Sequence, residues 1–206
     1  MCFDAGMKIE TIGARGRGAV RPRADRDLAA CVRVLAEVHA HDGYPVNWPD
    51  RPGEWLSRPG GLGAWVAELD GGIVGHVGLS RAEPDDVAPA LWRARHGGDG
   101  DAAAVVSRLF VAPHGRGHGF GARLMACATR EAERRGLRPV LDVVATDAAA
   151  VALYERLGWE PLGTSEQRWG PDRTVSVRSY AAADTSSERT VGTGGDAGGA
   201  PTGGTV

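Results

Sequence analysis

Lysine is nearly missing from this 206-residue chain: of 24 basic residues only Lys8 is lysine, and the others are arginine. The bias travels with an Ala and Gly excess and reads as a base-composition effect from which no function follows. Cysteine is scarce too. Cys2, Cys31 and Cys127 are odd in number, widely spaced and without a C-x-x-C pair. That excludes a disulfide framework and a cysteine zinc site, and makes a reducing cytosol the expected compartment. No run of about 18 apolar residues occurs, so no membrane-spanning helix is expected. Met1 to Gly18 holds no continuous apolar segment ahead of a cleavage site, so no signal peptide is expected either. Neither sign of charge is in excess. The net charge of −2 argues against a general nucleic-acid binder, which needs basic residues to displace counterions from phosphates.

What is present, 42% hydrophobic and 24% charged residues, fits one globular domain with weakly structured ends. From Ala182 onward a Gly/Thr/Ala-rich tract has almost nothing to bury and is expected to be a flexible tail. Residues 1–17 are similarly weak, with Gly13 and Gly16 beside Arg15 and Arg17, and Met7 offers an alternative start. The expected folded unit is therefore 18–181.

Within it, Ala19 to Arg23 reads as a strand, followed by a helix with Asp25 as N-cap and a stripe of Leu28, Val32, Leu35 and Val38. Residues 39–63, rich in Pro, Gly and Trp, read as loop with one helical turn at 54–57. Residues 64–69 and 73–80 form a hairpin around Asp70-Gly71-Gly72, and 87–95 a short helix. Val105 to Val111 is a buried strand. A helix follows from Gly119 to Arg135, its stripe Phe120, Leu124, Ala128 and Ala132, with Gly136 as cap. A strand at 139–144, a helix at 148–157 and strands at 159–163 and 167–180 complete an α/β or α+β sheet with helices on its faces.

The sharpest local signal lies between that buried strand and the following helix: Val111-Ala112-Pro113-His114-Gly115-Arg116-Gly117-His118-Gly119-Phe120-Gly121-Ala122. Alternating glycines let backbone N–H groups approach a ligand, and a helix N-terminus adds its dipole, which suits a phosphate or pyrophosphate. Arg116 adds a bidentate donor at the mouth. Three readings compete. One is a glycine-rich connector without a ligand. Another is dinucleotide binding, since Gly117 to Ala122 formally fits G-x-G-x-x-A and Asp142 lies further on. Against it, residues 112–116 separate the strand from Gly117, and Asp142 sits inside its strand.

The third reading is coenzyme A, and here the sequence resembles the GNAT superfamily of N-acetyltransferases. Arg116-Gly117-His118-Gly119-Phe120-Gly121 matches its Q/R-x-x-G-x-G/A signature behind Val111-Ala112-Pro113. A second family motif appears as Ala150-Val151-Ala152-Leu153-Tyr154-Glu155-Arg156-Leu157-Gly158-Trp159, in the right order and with one strand between. The resemblance covers most of 18–181 and is weakest at 39–63 and 81–104. It implies a splayed mixed sheet of six or seven strands with about four helices, and acetyl-CoA as cosubstrate without a metal.

The resemblance further implies that Leu109, Phe110 and Val111 offer backbone groups to the cofactor, and that Arg116, Gly117, His118, Gly119, Phe120, Gly121 and Ala122 form the pyrophosphate loop. Tyr154 becomes the general acid that protonates the departing thiolate, and otherwise packs against the pantetheine arm. Asp147 stands where the family often has a cofactor-contacting Asn. No carboxylate occurs in Val105-Val106-Ser107-Arg108-Leu109 to serve as general base, so the candidates are Ser107 through a water, His76, Glu83, Asp85, Asp99 and Asp101.

Residues 39–49 are the candidate acceptor site, with Asp42, Tyr44 and Trp48, and with His76 from the preceding strand, offering the aromatic and carboxylate mix that suits an amine. His39-x-His41-Asp42 lacks a fourth ligand, and His114 and His118 lie in a loop, so no metal site is expected. Trp55, Trp65, Trp92 and Trp169 are expected in core or lid packing. The implied function is direct transfer of an acetyl group to a small-molecule or peptide amine, with neither nucleic acid nor membrane as partner. A catalytically idle acyl-CoA sensor is the rival. A homodimer through the last strands is a family habit that nothing in the sequence decides.

Overall fold

The computed structural model describes residues 18–58, 60–97, 103–169 and 173–183. The expected N-terminal extension, the tail beyond Ala183, Asp99 and Asp101 lie outside the described residues. Strands β1 (Gly18–Pro22), β2 (Gly61–Leu69), β3 (Gly72–Arg81), β4 (Ala103–Val111), β5 (Arg138–Val144), β6 (Glu160–Arg168) and β7 (Thr174–Ala181) form one mixed seven-stranded sheet in the order β1-β2-β3-β4-β5-β7-β6. Helices α1 (Leu28–Asp42), α2 (Pro52–Leu56), α3 (Val87–His96), α4 (Phe120–Arg134) and α5 (Ala148–Arg156) cover its faces. Among the described residues no helix is long and apolar enough to cross a membrane.

The β2–β3 hairpin turns at Asp70 and Gly71, both at positive φ (50° and 83°), the geometry that matches strand twist in a two-residue turn. On one face of the sheet α4 buries Phe120, Leu124, Met125, Ala128 and Ala132. Leu124 comes so close to Gly75 that a Cβ there would lie 3.3 Å from its Cδ1. The opposite face carries α1, α2 and α3.

Three expectations are corrected. Asp25 does not cap α1. Residues Asp25–Asp27 form a 3-10 turn, in which the Asp27 carboxylate accepts from the Ala24 N–H at 2.7 Å and pairs with Arg21. That pairing holds the Asp27 carboxyl low, at about 2. The buried face of α1 is Cys31, Val34, Leu35 and Val38, so Leu28 and Val32 lie at its margin. Finally, β6 runs unbroken from Glu160 to Arg168. It ends the sheet with alternate residues exposed, and Thr164-Ser165-Glu166, which the expected strands leave out, is ordinary edge-strand sequence.

One feature of the sheet positions the site. β4 pairs with β5 in parallel only from Ala103 to Val105, opposite Arg138 to Val140. Beyond that point β5 stays with β7 while β4 stays with β3. The strands diverge, and the β5-facing edge of residues 106–111 has no ladder partner among the described residues.

Candidate active site

The glycine loop closes one end of this gap. A 3-10 turn at Pro113–Gly115 follows β4, and Gly115 packs so closely that a Cβ would lie 3.0 Å from Val74 Cβ. Gly117 and Gly119 take φ of +78° and +73°, with open space where a side chain would stand. Glycine adopts this backbone without the Cβ clash that other residues incur. α4 then begins with no side-chain cap at Gly119, and its first helical bond runs from the Arg123 N–H to the Gly119 carbonyl. The N–H groups of Gly117, His118, Gly119, Phe120, Gly121 and Ala122 are thus without an acceptor among the described residues. These free donors at a helix N-terminus are the chemistry a pyrophosphate needs, and the residues present fit that group. Gly121 lets α5 approach, since a Cβ there would lie 3.2 Å from Leu153 Cδ2.

A bulge shapes the strand that precedes the loop. Between the β3–β4 pairs His76↔Phe110 and Gly78↔Ser107, β4 carries an extra residue, and Arg108 is held at φ +55°. Buried His76 bridges the bulge: its Nδ1 lies 3.1 Å from the Arg108 carbonyl and its Nε2 lies 3.2 Å from Arg23 Nη1. A carbonyl only accepts and a guanidinium only donates, so the ring is neutral with its proton on Nδ1. Burial, reinforced by the charges of Arg23 and Arg108, pushes its pKa down to about 4. His76 stacks on Phe110 at 5.4 Å. Its Nε2 lone pair is already engaged by the Arg23 guanidinium.

Tyr154 comes from α5, buried against Trp159 and Tyr180, each ring at 6.0 Å. Its hydroxyl makes no hydrogen bond among the described residues, and burial, with Tyr44 and Asp147 nearby, raises its pKa. Tyr44 packs edge-on to Trp55 at 6.3 Å and against Phe110 at 6.5 Å, its hydroxyl likewise kept neutral by burial. Asp147 caps α5 by accepting from the Ala150 N–H at 3.0 Å, a bond that the side-chain oxygen of an Asn makes equally well. Asn47 donates to the Trp169 carbonyl at 3.2 Å, linking the 43–51 loop to the β6–β7 turn. Trp48 is exposed and lies 5.1 Å from the His39 ring.

A family model described as the Acetyltransferase (GNAT) family matches residues 30–159. The chain belongs to the GNAT acetyltransferase family. It is similar to the mycothiol acetyltransferase of Kocuria rhizophila, 38% identical over 87 residues that make up 41% of this chain and 29% of that protein. This chain therefore matches less than a third of that relative's length. Solved structures share its fold: an N-acetyltransferase from Staphylococcus aureus Mu50 has a TM-score of 0.61 at 19% identity, covering 80% of this chain and 97% of the other. Another, yncA from Salmonella typhimurium with its cofactor acetyl-CoA, has a TM-score of 0.59 at 20% identity, covering 80% and 92%.

In this GNAT chain the remaining sequence candidates lie as follows. Arg116 does not point freely into the loop: it forms an ion pair with Asp42, and its Nε donates to the Val111 carbonyl at 3.2 Å. Asp42, read as an acceptor-site residue, is thereby tied to the cofactor loop, with its carboxyl held low by Arg116 and then His41. Ser107 accepts from Arg108 Nη1 at 3.1 Å. Glu83 is committed to Arg58 at 2.9 Å, and Asp85 is exposed. No metal-ligating cluster occurs among the described residues. What sequence reading passed over is a set of arginines, Arg23, Arg58 and Arg108, that converge with Ser57, Ser80 and Ser107 on one cavity. The signal is an arginine, next to Ser107, in a strand otherwise made of Ala, Val, Leu and Phe.

Proposed function

We propose that this protein transfers an acetyl group from acetyl-CoA to a primary amine by direct attack in a ternary complex. The observation that carries the reading is the gap between β4 and β5, with free N–H groups on the glycine loop at one end and an unpaired β4 edge along its side. Bound acetyl-CoA supplies an acetyl thioester. Gly117 to Ala122 hold the pyrophosphate through backbone donors, and backbone N–H groups among Leu109, Phe110 and Val111 stabilise charge on the carbonyl oxygen. Such a donor typically contributes about 2.7–4 kcal/mol.

Tyr154, kept protonated by burial, donates to the departing sulfur. β4 offers no carboxylate, so the ammonium proton passes to a water held by the Ser107 O–H and from it to bulk solvent, while the Ser107 oxygen accepts from Arg108. Neither Cys31 nor Cys127 serves as a nucleophile in this scheme. Cys31 is buried and its thiol is pushed up to about 11, and both are free thiols, as suits a cytoplasmic protein. A second copy pairing along β6, one of the two edge strands of the sheet, is the homodimer contact that fits this architecture.

Calorimetric titration with acetyl-CoA, with NADH in parallel, followed by thiol release in the presence of an amine panel, tests the reading. Binding of acetyl-CoA alone with amine-dependent thiol release supports it. Binding without release from any amine favours the sensor, and binding of NADH instead removes both.

A further inference from the structure

A cavity of about 320 Å³ opens on the α2 face of the sheet, beside the β4 bulge, lined by Arg23, Arg58, Arg108, Ser57, Ser80 and Ser107 among others. Its charge is unbalanced. Arg58 is neutralised by Glu83 at 2.9 Å and Asp86 at 3.1 Å. Arg23 reaches only neutral acceptors: the Leu56 carbonyl and Ser57 Oγ, both at 2.8 Å, and His76 Nε2. Arg108 donates to Ser107 Oγ and lies over the Trp55 ring at 4.7 Å, while its Nε is buried with no partner. Neither Arg23 nor Arg108 has a carboxylate partner among the described residues.

Ser80, 2% exposed, likewise has a buried hydroxyl without a partner. Buried polar groups without partners are costly, and half-buried guanidinium groups without a counter-charge more so. Arg23, Arg108 and Ser80 all line the same cavity, and one ligand chemistry suits them: a planar anion that accepts from guanidinium N–H groups and a hydroxyl.

Resting on the acetyltransferase reading, we infer that the acceptor is an amino acid or amino-acid-like amine whose carboxylate is seated by Arg23, Arg108 and Ser80, with its amine directed to the β4 bulge. His76 serves this site as a positioning residue, since its Nε2 fixes the Arg23 guanidinium and its Nδ1 fixes the Arg108 backbone. Glu83 and Asp86 hold Arg58 at the rim.

The test compares thiol release from acetyl-CoA with a pool of proteinogenic L-amino acids and with the same pool as carboxamides. The acid pool is expected to react at least tenfold faster. In Arg23→Gln the ratio of acid to amide rates falls toward one, through KM rather than kcat. Ser80→Ala loses no bond in the free protein, so it folds as the parent does and lowers the same ratio several-fold. O-phosphoethanolamine, an amine bearing phosphate, distinguishes the anion: turnover of it in preference to amino acids overturns the carboxylate assignment. A second readout needs no turnover. Saturation-transfer NMR with pooled N-acetyl amino acids should show contacts that their amides lack and that Arg23→Gln abolishes. Carboxylate-selective contacts without thiol release from any amine keep the pocket's anion preference and remove the acetyltransferase reading. Rapid acetylation of amines without carboxylates, with no acid preference in either readout, does the reverse.

Discussion

The carbonyl oxygen of Arg108 accepts a hydrogen bond from His76 Nδ1 at 3.1 Å, and Arg108 holds a positive φ of +55° at that point. A non-glycine residue in this region pays a steric cost, and the fold retains it where neighbouring contacts determine the backbone. Here the contacts are a buried imidazole on the adjacent strand and the Trp55 ring beneath the guanidinium. The bulge thus does two things at once: it turns the β4 edge away from β5, and it turns an arginine into the cavity beside it.

His76→Leu keeps the apolar contact with Phe110 but strands the Arg108 carbonyl and frees Arg23. Leaving such groups without partners should lower unfolding free energy by about 1–3 kcal/mol in urea denaturation. Acceptor KM should rise while acetyl-CoA affinity holds, because the glycine loop is built from other residues. An unchanged urea midpoint would show that the histidine does not secure the bulge.

His76 also gives stability a pH dependence. Its folded pKa is about 4 against 6.5 for the free ring. Between those values the unfolded chain binds the proton and the folded chain does not, so stability rises with pH there. The contribution is fully present above 6.5 and is lost as pH falls toward 4. Its size is on the order of 3 kcal/mol. Urea midpoints across this range should fall steeply for the parent protein and less steeply for His76→Leu, and parallel curves would assign the acid sensitivity elsewhere.

Tyr154→Phe removes a hydroxyl with no partner among the described residues, so the fold should be unchanged within about 0.5 kcal/mol. The catalytic effect is expected in kcat: loss of a positioned general acid typically slows proton transfer by about 10²–10⁴-fold. Acetyl-CoA affinity measured by calorimetry should stay the same. A variant that turns over at the parent rate would reduce Tyr154 to packing against Trp159 and Tyr180.

Legibility in the sequence followed the range of the interaction. The apolar stripe of α4 and the glycine loop are local patterns, and each is realised where its spacing puts it. So is Tyr154, which sits in a motif that runs through α5 and the turn after it. The arginine cavity is different. Arg23 follows β1, Ser80 and His76 come from β3, and Arg108 from β4, so only sheet pairing brings them together. The bulge that aims Arg108 is a mismatch in register between β3 and β4, and neither strand announces it alone. The same limit explains Asp42: the Pro- and Gly-rich composition of 39–63 reads as loop, whereas α1 runs through Asp42, and its bond to Arg116 joins residues 74 apart in the chain.

That bond bears on cofactor affinity. Arg116 Nη1 lies 3.3 Å from one Asp42 oxygen and Nη2 contacts the other, while Nε is fixed on the Val111 carbonyl. Asp42 therefore offsets a positive charge at the mouth of the loop that receives the pyrophosphate. In Asp42→Asn this compensation disappears, and acetyl-CoA should bind more tightly. Both side chains are partly exposed, at 45% and 31%. Screening at such a surface limits the gain to about 0.2–1 kcal/mol, a few-fold at most in Kd. The gain should shrink as salt is added, because counterions screen exposed charge. Calorimetry at low and high ionic strength measures both quantities. Weaker binding in the variant would reverse the interpretation: Asp42 would then be the group that orients Arg116 toward the pyrophosphate, and losing that orientation would outweigh the charge it cancels.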